Sequence, residues 1–163
     1  MMSVGVGWVE GNEDHLAELL RTEVLNVASG LRGVPCAMLR SDKTAPTISK
    51  ADFRPPGSEV EALADTVDLL VLAGHGSAGE GLPLNADDTV KSNTVVFGGR
   101  LRVAVMVSCT ILEGTPGGMI TDPMAWRAVF GGLHRLIAPK SFVSPSPGRG
   151  ERFAKYLSEG ESF

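Results

Sequence analysis

Short, continuous runs of apolar residues alternate along the chain with segments in which apolar residues recur every three or four positions. The continuous runs occupy residues 4–9, 34–39, 68–74 and 101–108. Runs of this length, bounded by charged residues and glycines, are typical of strands that a parallel sheet buries on both faces. Between the first two runs, helical spacing predicts a helix that contains Leu16, Leu19, Leu20, Val24, Val27 and Leu31.

The pattern predicts three further helices. Ser58, with Glu61 three residues later, forms a capping box. The short helix that would follow has its inward-facing side chains at Val60, Leu63, Ala64 and Val67. Asp122-Pro123 is a typical helix start, and the apolar stripe that follows consists of Trp126, Val129, Phe130, Leu133 and Ile137. Gly131 and Gly132 interrupt this stripe, so we expect close packing there. A last short strand at 142–143 and a terminal helix over 150–157 complete the pattern.

Strands that alternate with helices predict an α/β fold. Such a chain forms βαβ units, whose parallel strands are covered by other elements on both faces. We therefore expect a three-layer sandwich with a mainly parallel central sheet. The length of 163 residues suits a single domain over residues 1–163.

The charge distribution argues against two classes of partner. The formal net charge is −4, and no run of Lys or Arg stands out. Binding to a phosphate backbone requires a clustered basic surface, so we expect no nucleic-acid partner. The apolar runs are shorter than the roughly 20 residues that cross a membrane, so we expect no membrane partner.

The cysteine content indicates a reducing compartment. The chain has two cysteines: Cys36 falls inside the second apolar run, and Cys109 stands at the end of the fourth. Two cysteines placed in this way do not form a disulfide framework. The first residues also lack a basic segment followed by a long apolar run, which a secretory signal would have. These features predict a cytoplasmic protein, and they leave its oligomeric state open.

Two reactive residues follow the two central apolar runs. His75 comes directly after the third run, and Cys109 ends the fourth. Sites in open α/β sheets form at the carboxyl ends of the strands, where adjacent strands would bring the two residues together. A nucleophilic thiol needs an imidazole that holds it as thiolate. The N–H groups of Gly76 and Cys109 could stabilise an oxyanion, so the predicted catalytic residues are His75, Cys109 and Gly76.

Two more residues are candidates for substrate binding. Ser108 directly precedes the cysteine, and Trp8 ends its strand at the same sheet edge, although Trp8 is also a natural core residue. A zinc site made of Cys109, His75 and His134 has no paired ligand spacing to support it. We expect no metal and no cofactor.

The two strand ends resemble those of the caspase-like cysteine peptidases, which include caspases, metacaspases, legumains and separases. In that superfamily one apolar strand ends in His-Gly and a later one ends in Ala-Cys or Ser-Cys, as in LLVLAGHG at 69–76 and VAVMVSC at 103–109. AWRAVFGGLHRLIAP at 125–139 is similar to a bacterial caspase-like group of unassigned function. The resemblance covers roughly residues 4–157. It implies a caspase-like fold, His75 as general base, Cys109 as nucleophile, and a peptide or small acyl substrate.

The chain departs from the superfamily at Thr110-Ile111, where many members carry glycine, and it has no charged marker of a specificity pocket. Two other functions are therefore considered. The same dyad could cleave a thioester or an amide in a biosynthetic pathway. Alternatively, the domain could be a non-catalytic pseudo-peptidase or a flavodoxin-like binding module, in which Cys109 is a small buried hydrophobe and His75-Gly76 a turn.

Overall fold

The structure, a computed structural model, describes most of the sheet and the two helices that pack on it. The described residues are 2–8, 14–31, 36–38, 50–74, 82–83, 89–90, 95–107, 131–138, 146 and 148–159. The strands are β1 (Val4–Trp8), β2 (Cys36–Met38), β3 (Leu69–Ala73), β4 (Leu82–Pro83), β5 (Thr89–Val90), β6 (Val103–Val107) and β7 (Arg135–Ile137). The helices are α1 (Asp14–Gly30) and α2 (Arg149–Glu159), and two 3-10 turns occupy Lys50–Asp52 and Leu63–Thr66.

Five of these strands form one parallel sheet. Their order is β2-β1-β3-β6-β7, and each neighbouring pair is parallel. β4 and β5 form a separate antiparallel pair, which the sequence pattern did not predict. The prediction of an α/β fold with a mainly parallel central sheet is confirmed. The predicted first strand, first helix and terminal helix correspond to β1, α1 and α2.

Alternate residues of the central strands supply two separate cores. Odd-numbered residues of β3, such as Val71, pack with Val4 and Val6 of β1 against α1 and α2. The even-numbered Leu70 and Leu72 face the other side. This period of two is what the pleat of a strand requires. Because both faces are buried, the strands have the uniformly apolar sequences that predicted them.

In the described residues, irregular segments cover the face opposite α1. Phe53 and Phe97 are fully buried there and meet edge to face, with ring centroids 6.1 Å apart. Asp65 joins the covering segments, because its Oδ1 accepts the Gly98 N–H at 2.8 Å and its Oδ2 lies 3.3 Å from Arg54 Nε. Asp65 is 1% exposed. A single buried carboxylate thus connects three stretches of chain that lie outside the central sheet and the two α-helices.

The helices α1 and α2 pack unusually closely. A Cβ atom added to Gly150 would collide with the Glu23 carbonyl oxygen, and one added to Gly30 would collide with the Ala154 side chain. Small residues at these contacts let the two backbones approach each other. The α1–α2 pair therefore depends on glycine at both contacts.

The prediction of a short helix after Ser58 is wrong in the length of the helix and in the side chains that it buries. Only Leu63–Thr66 is helical, as a 3-10 turn. Ala64 and Val67 are buried as expected, but Val60 is 76% exposed and Leu63 43% exposed. The Ser58 Oγ accepts the Val60 N–H at 3.1 Å, which forms a local turn where a helix cap was expected.

The helix predicted through 122–137 is wrong at its carboxyl end. Ile137 lies in β7, which pairs with β6, and Leu133 is buried in the irregular segment before that strand. Gly131 and Gly132 do pack closely, since added Cβ atoms would lie 2.6 Å from Val96 Cγ1 and 3.0 Å from Gly98 Cα. The contact needs glycine, but it is not a helix–sheet contact. The rest of this predicted helix, and the strand predicted at 142–143, lie outside the described residues.

Candidate functional site

Three parallel strands end together at one edge of the sheet, the carboxyl edge. Trp8 of β1 pairs with Ala73 of β3, and Ala73 pairs with Val107 of β6. The Gly74 N–H donates to the Val107 carbonyl oxygen at 3.2 Å, one residue beyond the end of β3. The β3–β6 ladder is therefore intact up to the point where the predicted site begins.

The predicted reactive residues follow directly from this edge in sequence. His75 stands two positions after Ala73, and Cys109 stands two positions after Val107. His75, Gly76, Ser108 and Cys109 themselves lie outside the described residues. What the structure supplies is the position and register of the two strands that lead to them.

Trp8 is described, and it is a core residue. It is 2% exposed and belongs to the apolar cluster on the α1 face of the sheet. The guanidinium carbon of Arg21 lies 5.8 Å from the centroid of its ring, within the range of a cation–π contact. This burial favours the core interpretation of Trp8, and its contribution to substrate binding stays a prediction.

A cavity of about 360 Å³ lies on the α1 face of the sheet, beneath α1 and α2. Ligand pockets commonly have volumes of roughly 300–1,000 Å³ and mainly apolar walls. The described walls are Val71, Val105, Met106, Val107, Ile137 and Ala138 from the sheet side, Glu23, Val24 and Val27 from α1, and Arg149, Gly150 and Phe153 from α2. Because Val107 is also the last residue of β6, the cavity extends to the carboxyl edge.

Glu23 is the acidic residue among these described walls, and it is 3% exposed. Its Oε1 accepts the Ser146 N–H at 3.3 Å and lies 3.5 Å from Arg149 Nε. Its Oε2 is buried and has no hydrogen-bond partner within the described part of the chain. An unpaired buried polar atom costs about 1–3 kcal/mol, and more when it is charged. In the described part of the chain, only one of the two carboxylate oxygens of Glu23 therefore has polar partners.

The sequence interpretation did not single out Glu23, although a signal was present. Glu23 stands four positions after Leu19 and three after Leu20, inside the apolar stripe of α1. An acidic residue on a core-facing stripe is unusual, since Glu is almost never fully buried unless it is paired. The interruption of the stripe was the observation that could have revealed it.

The opposite edge of the sheet, the amino edge, carries a polar cluster centred on Asp68. Its two carboxylate oxygens accept bonds from Arg100 Nε at 3.1 Å and Arg100 Nη2 at 3.0 Å. The Ser3 N–H and hydroxyl also donate to Oδ2, at 2.6 Å and 2.8 Å. Hydrogen bonding to Arg100, and then to Ser3, lowers the pKa of Asp68 to about 2. This cluster joins the start of β3 to β1 and lies away from the carboxyl edge.

His134 lies at the amino edge and not on a helix. It directly precedes β7, its N–H donates to the Arg102 carbonyl at 2.8 Å, and its side chain is exposed. A five-residue strand such as β6 spans roughly 13 Å at about 3.3 Å per residue. The weakly supported zinc site of Cys109, His75 and His134 would have to bridge that length. Within the described residues, no three His, Cys, Asp or Glu side chains are grouped to hold a metal ion.

The fold and the carboxyl edge define an α/β protein whose parallel sheet has its candidate site where the central strands end. Residues 47–162 match the family described as "Domain of unknown function (DUF6345)". The chain belongs to this family, and the matched range contains β3 to β7 and α2. No curated protein matches the chain. In the described ranges, neither helix is long and apolar enough to cross a membrane.

Proposed function

We propose that the protein is a cysteine-dependent hydrolase, a caspase-like peptidase, in which His75 and Cys109 form a catalytic dyad. Its substrate would be a peptide or a small acyl compound, and it would need no metal or cofactor. The proposal includes a reducing, cytoplasmic environment in which Cys109 stays a thiol. The observation that carries the proposal is the register of β3 against β6.

The register of β3 against β6 supports the proposal. Leu69 pairs with Val103 and Ala73 pairs with Val107, so partners on these strands are 34 positions apart. His75 and Cys109 are also 34 positions apart, and each follows the last pair by two positions in sequence. If the same register continued for two residues, the two would be partners. Neighbouring strands lie about 4.8 Å apart, a distance that an imidazole and a thiol can bridge.

The alternation of side chains adds a second support. Ala73 belongs to the core cluster on the α1 face, and Val107 packs against that cluster. Side chains two positions apart on a strand point to the same face. If the extended geometry continues for two residues, His75 and Cys109 would both project towards the α1 face.

The chemistry needs one base and one nucleophile. His75 would take the Cys109 proton, and the thiolate would attack the acyl carbon of the substrate. The N–H groups of Gly76 and Cys109 would bind the oxyanion, with Ser108 and Trp8 next to the substrate. His75 would then protonate the leaving group, leaving a thioester. Water, deprotonated by His75, would hydrolyse that thioester and restore the thiol.

The reactivity of Cys109 towards an alkylating reagent tests the dyad. We would measure the rate from pH 5 to 9 in the wild type and in His75→Ala, with peptide mapping to separate Cys109 from Cys36. An ordinary thiol titrates near pH 8.5, whereas a thiol paired with histidine reacts well below that pH. We expect alkylation of Cys109 at pH 6 to be at least about tenfold faster in the wild type than in His75→Ala.

His134→Ala is the matched control, because His134 is an exposed histidine at the amino edge. It should leave the rate at Cys109 unchanged. A Cys109 rate that follows an ordinary thiol and does not respond to His75→Ala would contradict the catalytic proposal. Product analysis after a positive result would distinguish peptide hydrolysis from cleavage of a thioester or amide.

The cavity favours one alternative, a non-catalytic binding module. Its described walls are almost entirely apolar, and it is large enough for a small molecule. In that case Cys109 would have ordinary thiol reactivity and His75 would be replaceable. The alkylation experiment therefore separates the two functions.

A further inference from the structure

Glu23 lines the cavity beneath α1 and α2, and its Oε2 is an unsatisfied acceptor within the described part of the chain. This combination points to a ligand. An apolar cavity of about 150 Å³ has room for one benzene molecule. The cavity here measures about 360 Å³, so it has room for about two ring-sized groups. We propose that it binds a small, neutral, apolar molecule that carries one hydrogen-bond donor, and that Glu23 Oε2 accepts from that donor. The proposal does not depend on the catalytic function of the dyad.

Glu23 sets the polar requirement of the ligand. Its Oε1 already receives the Ser146 N–H and lies beside Arg149, while Oε2 has no partner in the described part of the protein. Buried polar atoms are paired in the large majority of cases, so an unpaired one needs an explanation. A water molecule would need two to four polar partners, which the described walls, made mainly of valine, isoleucine and phenylalanine, supply poorly.

The charge beside Glu23 argues for a neutral donor. The Arg149 guanidinium lies 3.5 Å from the same carboxyl group, so the negative charge already has a cationic neighbour. A cationic ligand would bring a second positive charge into an apolar space, where an unpaired charge is costly. A hydroxyl or a neutral N–H can donate a hydrogen bond to Oε2 without burying a second positive charge.

The test uses two probes that differ by one methyl group, which removes the donor. Indole has an N–H, whereas 1-methylindole has the same ring system with a methyl group in place of that hydrogen. We would titrate each into the 163-residue protein and follow the methyl NMR signals of Val71, Val107 and Ile137, which line the cavity. Indole should bind about tenfold more tightly, since a hydrogen bond to a charged group is worth roughly one decade or more in affinity.

Two variants separate the role of Glu23 from that of the cavity. In Glu23→Met the preference for indole should disappear, while 1-methylindole should still bind. Ile137→Phe should block both probes by filling the cavity, because Ile137 packs with the α1-face cluster and lines the cavity. Val103→Phe is its matched control, because Val103 is also half-buried on that face but does not line the cavity, and it should leave binding unchanged.

Three results would overturn the proposal. One is the absence of shifts at the cavity methyl groups with either probe, in a protein that unfolds cooperatively; a cavity that holds only water would behave in this way. A second is equal affinity for the two probes in the wild type, and a third is binding that persists in Ile137→Phe. None of these results would affect the alkylation experiment, so failure here is distinguishable from failure of the dyad.

Discussion

At the scale of single residues, buried acids connect parts of the chain that are far apart in sequence. Asp65 binds the Gly98 N–H, 33 positions away, and Glu23 binds the Ser146 N–H, 123 positions away. Such bonds replace regular secondary structure where a segment crosses a face of the sheet, because every buried backbone N–H needs an acceptor. The sequence shows these residues as acids, but only the packing reveals what they join.

Asp68 makes a pH-dependent contribution to stability. Its pKa is lowered from 3.8 to about 2 by the hydrogen bonds from Arg100 and Ser3. Because the folded-state pKa is depressed, the contribution is complete above pH 3.8 and is lost as the pH falls towards 2. We expect Asp68→Asn to reduce the free energy of unfolding by about 1 kcal/mol at pH 7, allowing for partial exposure, and by progressively less below pH 4.

Urea unfolding of the wild type and Asp68→Asn between pH 7 and pH 2.5 measures this difference. Glu59→Gln is the control, because Glu59 is exposed, and its effect should stay near zero. A difference between the wild type and Asp68→Asn that stays constant down to pH 2.5 would show that charge on Asp68 is not what stabilises the fold.

At the scale of secondary-structure elements, continuous apolar runs predicted the central strands correctly, whereas helical spacing predicted α1 but failed at residues 135–137. β1, β3 and β6 lie within the predicted runs because strands buried on both faces have no polar positions. The stripe that ends at Leu133 and Ile137 has helical spacing, yet Ile137 lies in β7. Pairing with the edge of β6 makes residues 135–137 a strand. That pairing is a tertiary interaction, which the spacing of apolar residues along the sequence does not indicate.

The α1–α2 contact depends on Gly150. A Cβ atom added at position 150 would collide with the Glu23 carbonyl oxygen, which belongs to the backbone of α1 and cannot rotate away. Gly150→Ala should therefore destabilise the protein by about 1–3 kcal/mol, although alanine is the better helix former. The midpoint of urea denaturation measures the change.

Gly148→Ala provides the comparison for Gly150→Ala. A Cβ at position 148 would lie 3.8 Å from Arg152 Nη1, which is ordinary contact. We expect a change of less than about 0.5 kcal/mol in that variant. Equal effects of the two substitutions would mean that the close approach of α1 and α2 does not limit stability.

At the scale of the whole molecule, the face opposite α1 is covered, in the part of the chain that the structure describes, by packed side chains more than by regular elements. Phe97 is fully buried there against Phe53. Phe97→Ala should cost about 3–5 kcal/mol, because it removes the ring and leaves a cavity. Val60→Ala should cost less than about 0.5 kcal/mol, since Val60 is 76% exposed. Thermal unfolding of both variants distinguishes this arrangement from the inward-facing Val60 that the sequence predicted.

The candidate site was predictable only in part. The convergence of the two strand ends follows from two buried apolar runs and the rules of parallel sheets. The register that makes partners 34 positions apart does not follow from the sequence, because a slip of either strand leaves both runs apolar. The cavity was not predictable at all, since its volume depends on how closely α1 and α2 approach each other and the sheet.

The central position of β1 has a consequence for synthesis of the chain on the ribosome. β1 lies between β2 and β3, and its partners in β3 come 65 positions later, as in the pair of Val4 with Leu69. At about 5–20 residues per second, roughly 3–13 s pass between the two strands. β2 can cover only one edge of β1 in that interval. The backbone N–H and C=O groups on the other edge stay unpaired and are a template for wrong partners, so this is the period in which the nascent chain most needs a chaperone.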